Sequence, residues 1–440
     1  MVGTRGSQVH SNWLRGKDSN LRPSGYEPDE LPLLHPAKAF YPTRNRPSGQ
    51  SRANGLGPIV GVVTPLPLMP SQGSVVARLL ALGAIVVLVA ACGAGASSPS
   101  GSTGAATGQA PSPGPTSSLA AGPPASFAVA PARTLIVDTD VAPDDLVALS
   151  FLLRAPNVTI AAITISGTGE AHCEGGVAVV LGLLERLEAP AIPVACGRAA
   201  PLAGDHAFPD AWRAGADQGA GLPITPTTRV AAPGNAVGLI ASAAAANERL
   251  AILTLGPLTN LAEALEADPG LAGRLGPVFS MGGALHVPGN LVGPGAPTGN
   301  DVAEWNVFVD PHTAQIVVAS GLTPSFVSLD GTSQVPVTVD FARRARDTAA
   351  TPAAHVLADL FDVNPFMADG SYFLWDPLAA ELAAGYQVGT FNEATVTVEE
   401  AEGPESGFTR PTSGSTNIRY LATVDPTAAE DTLLAILNRS

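Results

Sequence analysis

Lysine is nearly missing from this chain of 440 residues: Lys17 and Lys38 lie close to its start, and no lysine follows them. Positive charge is scarce in general, because from Arg133 onward 14 arginines stand against 34 aspartates and glutamates, a net charge of −20. A domain this acidic repels a phosphate backbone, so nucleic acid is excluded as an expected partner. Internal repeats are also not evident.

The first 68 residues differ in composition from the rest of the chain. They contain both lysines, carry eight basic against four acidic residues, and are rich in proline and asparagine without sustained periodicity. Their segment GKDSNLRPSGYEPDELPLLHPA resembles the conceptual translation of a transfer-RNA gene. We therefore expect residues 1–68 to be a mis-annotated leader and Met69 to be the true initiator. A genuine disordered tail is the alternative.

The apolar run from Leu79 to Ala91 is thirteen residues long, which is too short to cross a bilayer comfortably. It follows Arg78 and ends in Val89-Ala90-Ala91-Cys92, which resembles a bacterial lipobox. Residues 69–92 are thus predicted to be a lipoprotein signal peptide, cleaved before Cys92 and leaving that cysteine lipidated. An uncleaved signal anchor and a cytoplasmic protein with a misleading signal are the alternatives.

Residues 93–130 lack any charged side chain and are rich in serine, glycine, proline and alanine, a composition typical of a disordered tether. Lipid, tether and globular domain in this order predict an exported protein held at the outer face of the bacterial cell membrane only through Cys92. The other two cysteines, Cys173 and Cys196, would then lie in a compartment that permits disulfides. Their spacing does not decide between a disulfide and two buried thiols.

Residues 131–440 alternate short apolar strands with longer helical stretches. This alternation predicts an α/β fold with a mostly parallel central sheet covered by helices on both faces. In such sheets, ligands bind beyond the carboxyl ends of the strands. The predicted strands are Thr159–Ser166, Ile192–Ala195, Leu250–Leu255 and Val278–Met281, and the predicted helices are Gly176–Glu188, Asn235–Ala246 and Leu258–Ala267.

The stretch LIVDTDVAPDDLVAL, residues 135–149, combines a short strand, an acidic loop and the start of a helix. The loop places four carboxylates in eight positions: Asp138, Asp140, Asp144 and Asp145. Like charges packed this closely repel one another, and a buried carboxylate is costly unless it is paired or binds a metal ion. A set of oxygen ligands alone favours calcium or magnesium over zinc.

Three alternatives fit this loop less well. Asp144 or Asp145 could cap the following helix, but capping leaves the first two aspartates unexplained. An EF-hand needs glycine and glutamate where the loop has Pro143 and Leu149. A phosphatase with an aspartyl nucleophile usually adds a phosphate-binding lysine, which is missing after Lys38.

The pattern DTDxxxDD after an apolar strand resembles the signature of the inosine–uridine-preferring nucleoside hydrolase family, calcium enzymes that cut the N-glycosidic bond of ribonucleosides. Three later segments continue the resemblance in order, so that it extends from about Arg133 to the C-terminus. These segments are Thr254-Leu255-Gly256-Pro257-Leu258-Thr259-Asn260, Ala303-Glu304-Trp305-Asn306 followed by Asp310-Pro311, and Trp375-Asp376-Pro377. Ser328–Ser333 is similar to a further segment of the family, to which we assign a structural role.

The resemblance implies a role for each matching residue. The implied calcium ligands are Asp140, both carboxylate oxygens of Asp145, the main-chain carbonyl of Thr259, and Asp376, and with one water and two ribose hydroxyls they make about eight oxygens. Asp140 is the implied general base, acting on the calcium-bound water. The implied ribose contacts are Asp144, Asn290, Glu304 and Asn306, with Asn290 preferred to Asn300 because it follows Gly282-Gly283 at the usual distance. We assign to Asp138 the anchoring of the loop.

Departures from the family pattern lie mainly on the leaving-group side. Ala142 replaces a usual glycine, and Trp375 replaces the histidine that precedes the late aspartate. An asparagine expected after the second strand is replaced by the GTGEAHC segment, residues 167–173, in which Glu170 is our candidate for the polar sugar contact. We expect Trp375 or Trp305 to pack on the nucleobase, and His172 is a candidate acid that could equally be structural.

The sequence predicts an N-glycosyl hydrolase with calcium as cofactor and a small nucleoside as substrate. The alternative is an exported nucleoside- or ribose-binding lipoprotein without turnover. Retention of Asp140 favours the enzyme, because sugar binding alone does not need a base that activates water. The preferred nucleobase, discrimination against 2-deoxyribose and homo-oligomer formation are left open.

Overall fold

A computed structural model describes residues 131–440 of the chain. The predictions for the leader, for the signal segment ending at Cys92 and for the tether lie outside the described residues. Within residues 131–440 every helix is either too short or too polar to cross a membrane.

The fold is an eight-stranded central sheet covered by helices, together with a small two-stranded sheet. The strands are β1 Arg133–Thr139, β2 Val158–Ile165, β3 Val194–Cys196, β4 Ala251–Thr254, β5 Val278–Met281, β6 Ser325–Val327, β7 Gly389–Ala394, β8 Val396–Val398, β9 Thr409–Pro411 and β10 Ile418–Val424. The helices are α1 Pro143–Arg154, α2 Cys173–Arg186, α3 Asp210–Ala216, α4 Ala236–Ala246, α5 Thr259–Ala267, α6 Trp305–Val309, α7 Pro311–Ala319, α8 Leu329–Thr332, α9 Val339–Thr348, α10 Pro352–Val363, α11 Trp375–Ala384 and α12 Pro426–Leu437.

The strand order in the large sheet is β3-β2-β1-β4-β5-β6-β10-β7. Neighbouring strands are parallel from β3 to β10, and β7 adds an antiparallel edge. The predicted α/β class with a mostly parallel sheet is therefore confirmed. The predicted strand Val278–Met281 is found with identical bounds, and the other predicted strands and helices differ by one to three residues at one or both ends.

The two largest parts of the core lie on the two faces of the sheet, because side chains alternate between the faces of each strand. On β1, Leu135 and Val137 face a cluster that includes residues of α1, α10 and α11. Ile136, between them, faces a second cluster with residues of α4, α5 and α7. All three β1 side chains are fully buried, so β1 lies in the interior between two helical layers. The carboxyl end of this central strand leads directly into the acidic loop.

Glu381 on α11 gives a prediction about stability. It is fully buried, neither carboxylate oxygen has a hydrogen-bond partner, and burial raises its pKa well above the ordinary value of 4.5. Between that value and the folded-state pKa, the folded protein keeps a proton that the unfolded chain releases. The contribution of Glu381 to the free energy of unfolding therefore falls as pH rises above about 4.5.

We expect Glu381→Gln to make the free energy of unfolding less dependent on pH between 5 and 8 than in the unaltered protein, since glutamine does not titrate. Urea denaturation at fixed calcium concentration measures this slope. Glu393→Gln, at an exposed position on β7, is the matched control and should leave the slope unchanged. Equal slopes for all three proteins would contradict the prediction.

Candidate active site

The acidic loop joins the end of β1 to the start of α1. Val141 has a left-handed backbone, with φ of 66°, and the following Ala142 is the extended N-cap residue of α1. The main-chain N–H of Ala142 donates to Asp145 Oδ2 at 3.0 Å, and the Thr139 hydroxyl donates to Asp145 Oδ1. Asp145 therefore does help to cap the helix, from its third position, while also lying among the other carboxylates.

Asp138, the first aspartate, is part of the sheet and not of the cluster in the loop. Its Oδ1 accepts hydrogen bonds from the Thr164 hydroxyl on β2 at 2.6 Å and from Asn260 Nδ2 on α5 at 2.7 Å. Burial raises its pKa to about 7, against the lowering effect of these two donors. Asp138 thus links β1 to its neighbour and to α5 beneath the acidic loop.

Three carboxylates from opposite parts of the chain meet above β1. Ligand atoms of Asp144, Asp145 and Asp376 all lie within 4.8 Å of one another, although Asp376 belongs to α11. Asp140 is not one of these three residues, but its carboxylate is close enough to those of Asp145 and Asp376 for their charges to interact. The structure therefore places Asp140, Asp145 and Asp376 in one neighbourhood together with Asp144, and their role as metal ligands stays a prediction.

Burial and mutual repulsion dominate the electrostatics of this cluster. Desolvation, followed by repulsion from Asp145, raises the pKa of Asp144 to about 7 and the pKa of Asp140 and Asp376 well above the ordinary value of 3.8. Among residues 131–440, the ion pairs formed by arginine and histidine involve other carboxylates. Arg213 is near enough for its charge to interact with that of Asp140, but within the described part of the chain it forms no ion pair with the cluster. A divalent cation with a preference for oxygen ligands fits this buried negative charge.

The GTGEAHC segment closes one side of the cluster. The main-chain N–H of Glu170 donates to Asp140 Oδ2 at 3.1 Å. A Cβ atom on Gly169 would lie 2.2 Å from the Asp140 Cβ, and one on Gly256 would lie 2.6 Å from it, so both neighbouring loops pass too close for a side chain. Burial, and then repulsion from Asp144 and Asp145, raises the pKa of Glu170 to about 8. Glu170 therefore lies close enough to Asp144 and Asp145 for their charges to act on it, and its expected contact with the sugar stays a prediction.

Glu304, Asn306 and Asn290, the expected ribose contacts, are held by main-chain groups. Glu304 caps α6 and accepts hydrogen bonds from the N–H groups of residues 283, 306 and 307 at 2.9–3.1 Å. Burial raises its pKa to about 6. Asn306 Nδ2 donates to the Leu255 carbonyl at 2.8 Å, at the end of β4. These contacts bring α6 to the same sheet edge as the acidic loop.

Asn290 and Asn300 have different surroundings. Asn290 Oδ1 accepts from the N–H of Trp305, between the two other expected ribose contacts, at 3.0 Å. Asn300 donates to the Ser406 carbonyl at 2.8 Å and accepts from the N–H of Ala303 at 3.1 Å. The position of Asn290 favours it over Asn300, although its ribose contact stays a prediction.

Thr259, whose carbonyl is an expected metal ligand, is the first residue of α5. Its hydroxyl donates to Asp310 Oδ2 at 2.8 Å and lies 3.1 Å from the Thr168 hydroxyl. Leu255, earlier in the same motif, contacts β1 directly, because its N–H donates to the Asp138 carbonyl at 2.7 Å. The next residue, Gly256, lies against Asp140, so the carbonyl of Leu255 is a second candidate for the same role, one not expected from the sequence.

The expected leaving-group residues are spread over the site and its edge. Trp375 packs edge-on against Tyr372 with 4.6 Å between ring centroids, and Trp305 packs against Phe208 at 5.0 Å. The His172 side chain is 55% exposed, and its Nδ1 lies 2.7 Å from Asp217 Oδ2. His172 therefore has a structural partner at the surface, and its role as an acid stays a prediction.

Two features near the site were not expected from the sequence, and a third decides between alternatives that the sequence left open. The Tyr372 hydroxyl donates to Asp144 Oδ1 at 2.7 Å. Arg213 on α3, a helix that was not predicted, is buried and donates to the Gly167 carbonyl at 2.8 Å. A disulfide joins Cys173 and Cys196, which settles their pairing, and its sulfur atoms lie beneath Gly167. The segment that carries Glu170 is thus fixed from two sides.

The fold and the buried aspartates are together typical of an α/β enzyme with a metal ion at the carboxyl edge of its sheet. Comparison with known proteins narrows this class. A family model described as "Inosine-uridine preferring nucleoside hydrolase" matches residues 135–431. The chain belongs to this family of metal-dependent hydrolases and is an N-glycosyl hydrolase of nucleosides. Membership favours the enzyme over the alternative of a binding protein without turnover.

Individual relatives agree with this assignment. The chain is 31% identical over 274 residues to "Probable uridine nucleosidase 1" of Oryza sativa subsp. japonica, a match that covers 60% of this chain and 81% of the relative. It is 32% identical over 233 residues to "Pyrimidine-specific ribonucleoside hydrolase RihA" of Salmonella paratyphi B, covering 52% and 71%.

Solved structures share the fold. A purine-preferring ribonucleoside hydrolase from Gardnerella vaginalis is 26% identical, with a TM-score of 0.60 over 70% of this chain and 100% of that one. An inosine-uridine preferring nucleoside hydrolase from Bacillus anthracis has a TM-score of 0.63 with the same coverage, and at 23% identity it supports the fold alone.

Proposed function

We propose that this enzyme uses a calcium ion held by Asp140, Asp145 and Asp376 to hydrolyse ribonucleosides to free base and ribose. The observation that carries the proposal is the convergence of these three carboxylates with Asp144 and Glu170 in one buried cluster. A main-chain carbonyl, from Thr259 or from Leu255, would add a further oxygen ligand. When bound, calcium would supply a template and a Lewis acid for the attacking water.

Asp140 would act as the general base. The Glu170 N–H already binds Asp140 Oδ2, which fixes the carboxylate and leaves lone pairs on Oδ1 for the proton. As the attacking water forms a bond to C1′ of the ribose, Asp140 accepts its proton, and the electron pair of the C1′–N bond leaves with the nucleobase. The buried position of Asp140 in the loop fits this role, since it limits competition from bulk solvent.

Asp144, Asn290, Glu304 and Asn306 would orient the ribose. Asn306 uses Nδ2 for main-chain carbonyls, which leaves Oδ1 to accept a hydrogen bond from a sugar hydroxyl. Asn290 uses Oδ1 for the Trp305 N–H, which leaves Nδ2 as a donor. The two amides would therefore offer a ribose one acceptor and one donor.

Glu170, Trp375, Trp305 and His172 would shape the leaving-group side. Glu170 would make the polar sugar contact, and one of the two tryptophans would pack on the nucleobase. The relatives differ in the bases their names mention, pyrimidine in one and purine in another, so the base preference is a matter for a substrate panel.

We also propose that the mature protein begins at a lipidated Cys92 and acts outside the cell, tethered by residues 93–130. The apolar run before Val89-Ala90-Ala91-Cys92 and the uncharged tether after it support this location. Nucleosides from the surroundings would then be cleaved before uptake.

A panel of purine and pyrimidine ribonucleosides tests the proposed activity. With the full-length protein and calcium, we expect release of free base from at least one nucleoside. Chromatography measures the amount of base released. Chelation should stop the release, and calcium should restore it better than magnesium.

Asp140→Asn at saturating calcium should lower kcat by roughly 10²- to 10⁴-fold, the usual contribution of a general base. Asp205→Asn, in an exposed loop, is the control. Binding of nucleosides without release of base would refute the mechanism.

Replacing Glu170 tests the leaving-group side. We expect Glu170→Gln to lower the rate of base release by on the order of 10-fold, the effect of losing a hydrogen bond to a charged group, while calcium affinity measured by calorimetry is retained. Glu174→Gln, exposed on α2 in the same segment of the chain, should leave both quantities unchanged. Unaltered turnover in Glu170→Gln would end the assignment of this role.

Replacing Cys92 tests the location. In the native host we expect the unaltered protein in the membrane fraction and Cys92→Ser in a soluble fraction, because serine cannot carry a thioether-linked lipid. Ser97→Ala, in the tether, should stay with the membrane. Membrane association of Cys92→Ser equal to that of the unaltered protein would disprove the lipid anchor.

A further inference from the structure

Tyr372 lies in a short segment whose backbone is fixed before α11. Its carbonyl accepts a hydrogen bond from the Val337 N–H at 2.7 Å, and the Leu374 N–H donates to the Val335 carbonyl at 3.1 Å. Phe373, between them, forms an antiparallel bridge with Pro336. These bonds on both sides of Tyr372 hold its Cα in one place, so the reach of its side chain is set by the fold.

The Tyr372 ring is fixed as well. It packs edge-on against Trp375, with 4.6 Å between centroids, and against Phe366 at 6.3 Å. Such aromatic pairs restrict the two torsion angles of the side chain. The hydroxyl is thereby aimed at Asp144 on α1, to which it donates a hydrogen bond of 2.7 Å.

Asp144 is held at both of its oxygens by the same segment. Oδ1 accepts from the Tyr372 hydroxyl, and Oδ2 accepts from the Asp376 N–H at 3.2 Å. A carboxylate offers about four lone-pair sites, so each oxygen keeps a second site for a ligand. The two donors fix the plane of the carboxylate and thus the direction in which these remaining sites point.

We propose that Tyr372 is a positioning residue that aims Asp144 at the ribose hydroxyls and so sets the preference for ribonucleosides over 2′-deoxynucleosides. The inference deepens the proposed function and rests on the sugar contact assigned there to Asp144. A carboxylate with one fixed orientation binds a correctly placed hydroxyl better than one free to rotate. A 2′-deoxynucleoside lacks the 2′-hydroxyl and gains little from that orientation.

A purely structural role would have a different signature. If the bond merely tied the segment before α11 to α1, its loss would disturb the whole site and slow all substrates alike. If it aims Asp144, its loss should cost the substrate that carries the 2′-hydroxyl more than the one that lacks it. Tyr372→Phe separates the two cases, because it removes only the hydroxyl and keeps both ring contacts.

The experiment compares full-length protein and Tyr372→Phe on a nucleoside and its 2′-deoxy counterpart, with calcium present. We expect kcat/KM for the ribonucleoside to fall by on the order of 10-fold, mainly through KM, and that for the 2′-deoxynucleoside to change less than about threefold. Tyr420→Phe is the matched control, since its hydroxyl lies 3.5 Å from Asn392 Nδ2 on the antiparallel edge of the sheet. Equal losses on both substrates, or none on either, would overturn the inference.

A binding measurement separates this inference from the proposed activity. In the presence of calcium, ribose should raise the thermal midpoint of the unaltered protein more than 2-deoxyribose does, and Tyr372→Phe should lose that difference. If the unaltered protein releases no base but shows this pattern, the catalytic proposal fails and Tyr372 keeps its role. If both proteins respond identically to the two sugars, the role of Tyr372 is refuted whatever the turnover.

Discussion

Repulsion among buried carboxylates is the constraint on which this site depends. Asp140, Asp144, Asp145 and Asp376 are each at most 5% exposed, and the charge of Asp145 raises the pKa of the other three. Backbone and hydroxyl donors offset part of this cost at Asp144 and Asp145. A divalent cation would offset the rest, so the arrangement makes physical sense as a metal site and little sense as a purely structural cluster.

The parallel sheet makes the cluster possible. Because β1, β2, β4 and β5 are parallel neighbours, their carboxyl ends lie at one edge, and loops far apart in sequence meet there. Glycine is required where two of these loops cross the acidic one, since a Cβ on Gly169 or on Gly256 would collide with Asp140. The fold therefore brings the loops to one edge of the sheet, and the two glycines allow their backbones to lie directly against Asp140.

The parts of this site that depend on local sequence pattern could be predicted from the sequence. The strand, acidic loop and helix around Asp140, the carboxylate on α11 and most elements between β2 and β5 could be read from periodicity and from motifs in order. Contacts between remote side chains carry no such signal. The Tyr372–Asp144 bond spans 228 residues, and Arg213 reaches Gly167 from a seven-residue helix with no distinctive pattern. The Cys173–Cys196 pairing and the position of Leu255 likewise required the fold.

The two main departures from the family pattern, Trp375 and Glu170, both bear on the charge that develops during the proposed reaction. Cleavage of the C1′–N bond builds positive charge on the ribose ring, as in other glycosidic hydrolyses. Trp375 cannot give up its indole proton at neutral pH, so it cannot protonate a leaving base as a histidine could. Glu170 lies near the aspartates, and burial and their charges raise its pKa to about 8. In the proposed mechanism, a bound cation would favour the ionised form of Glu170, and the site would then stabilise the cationic transition state from the sugar side.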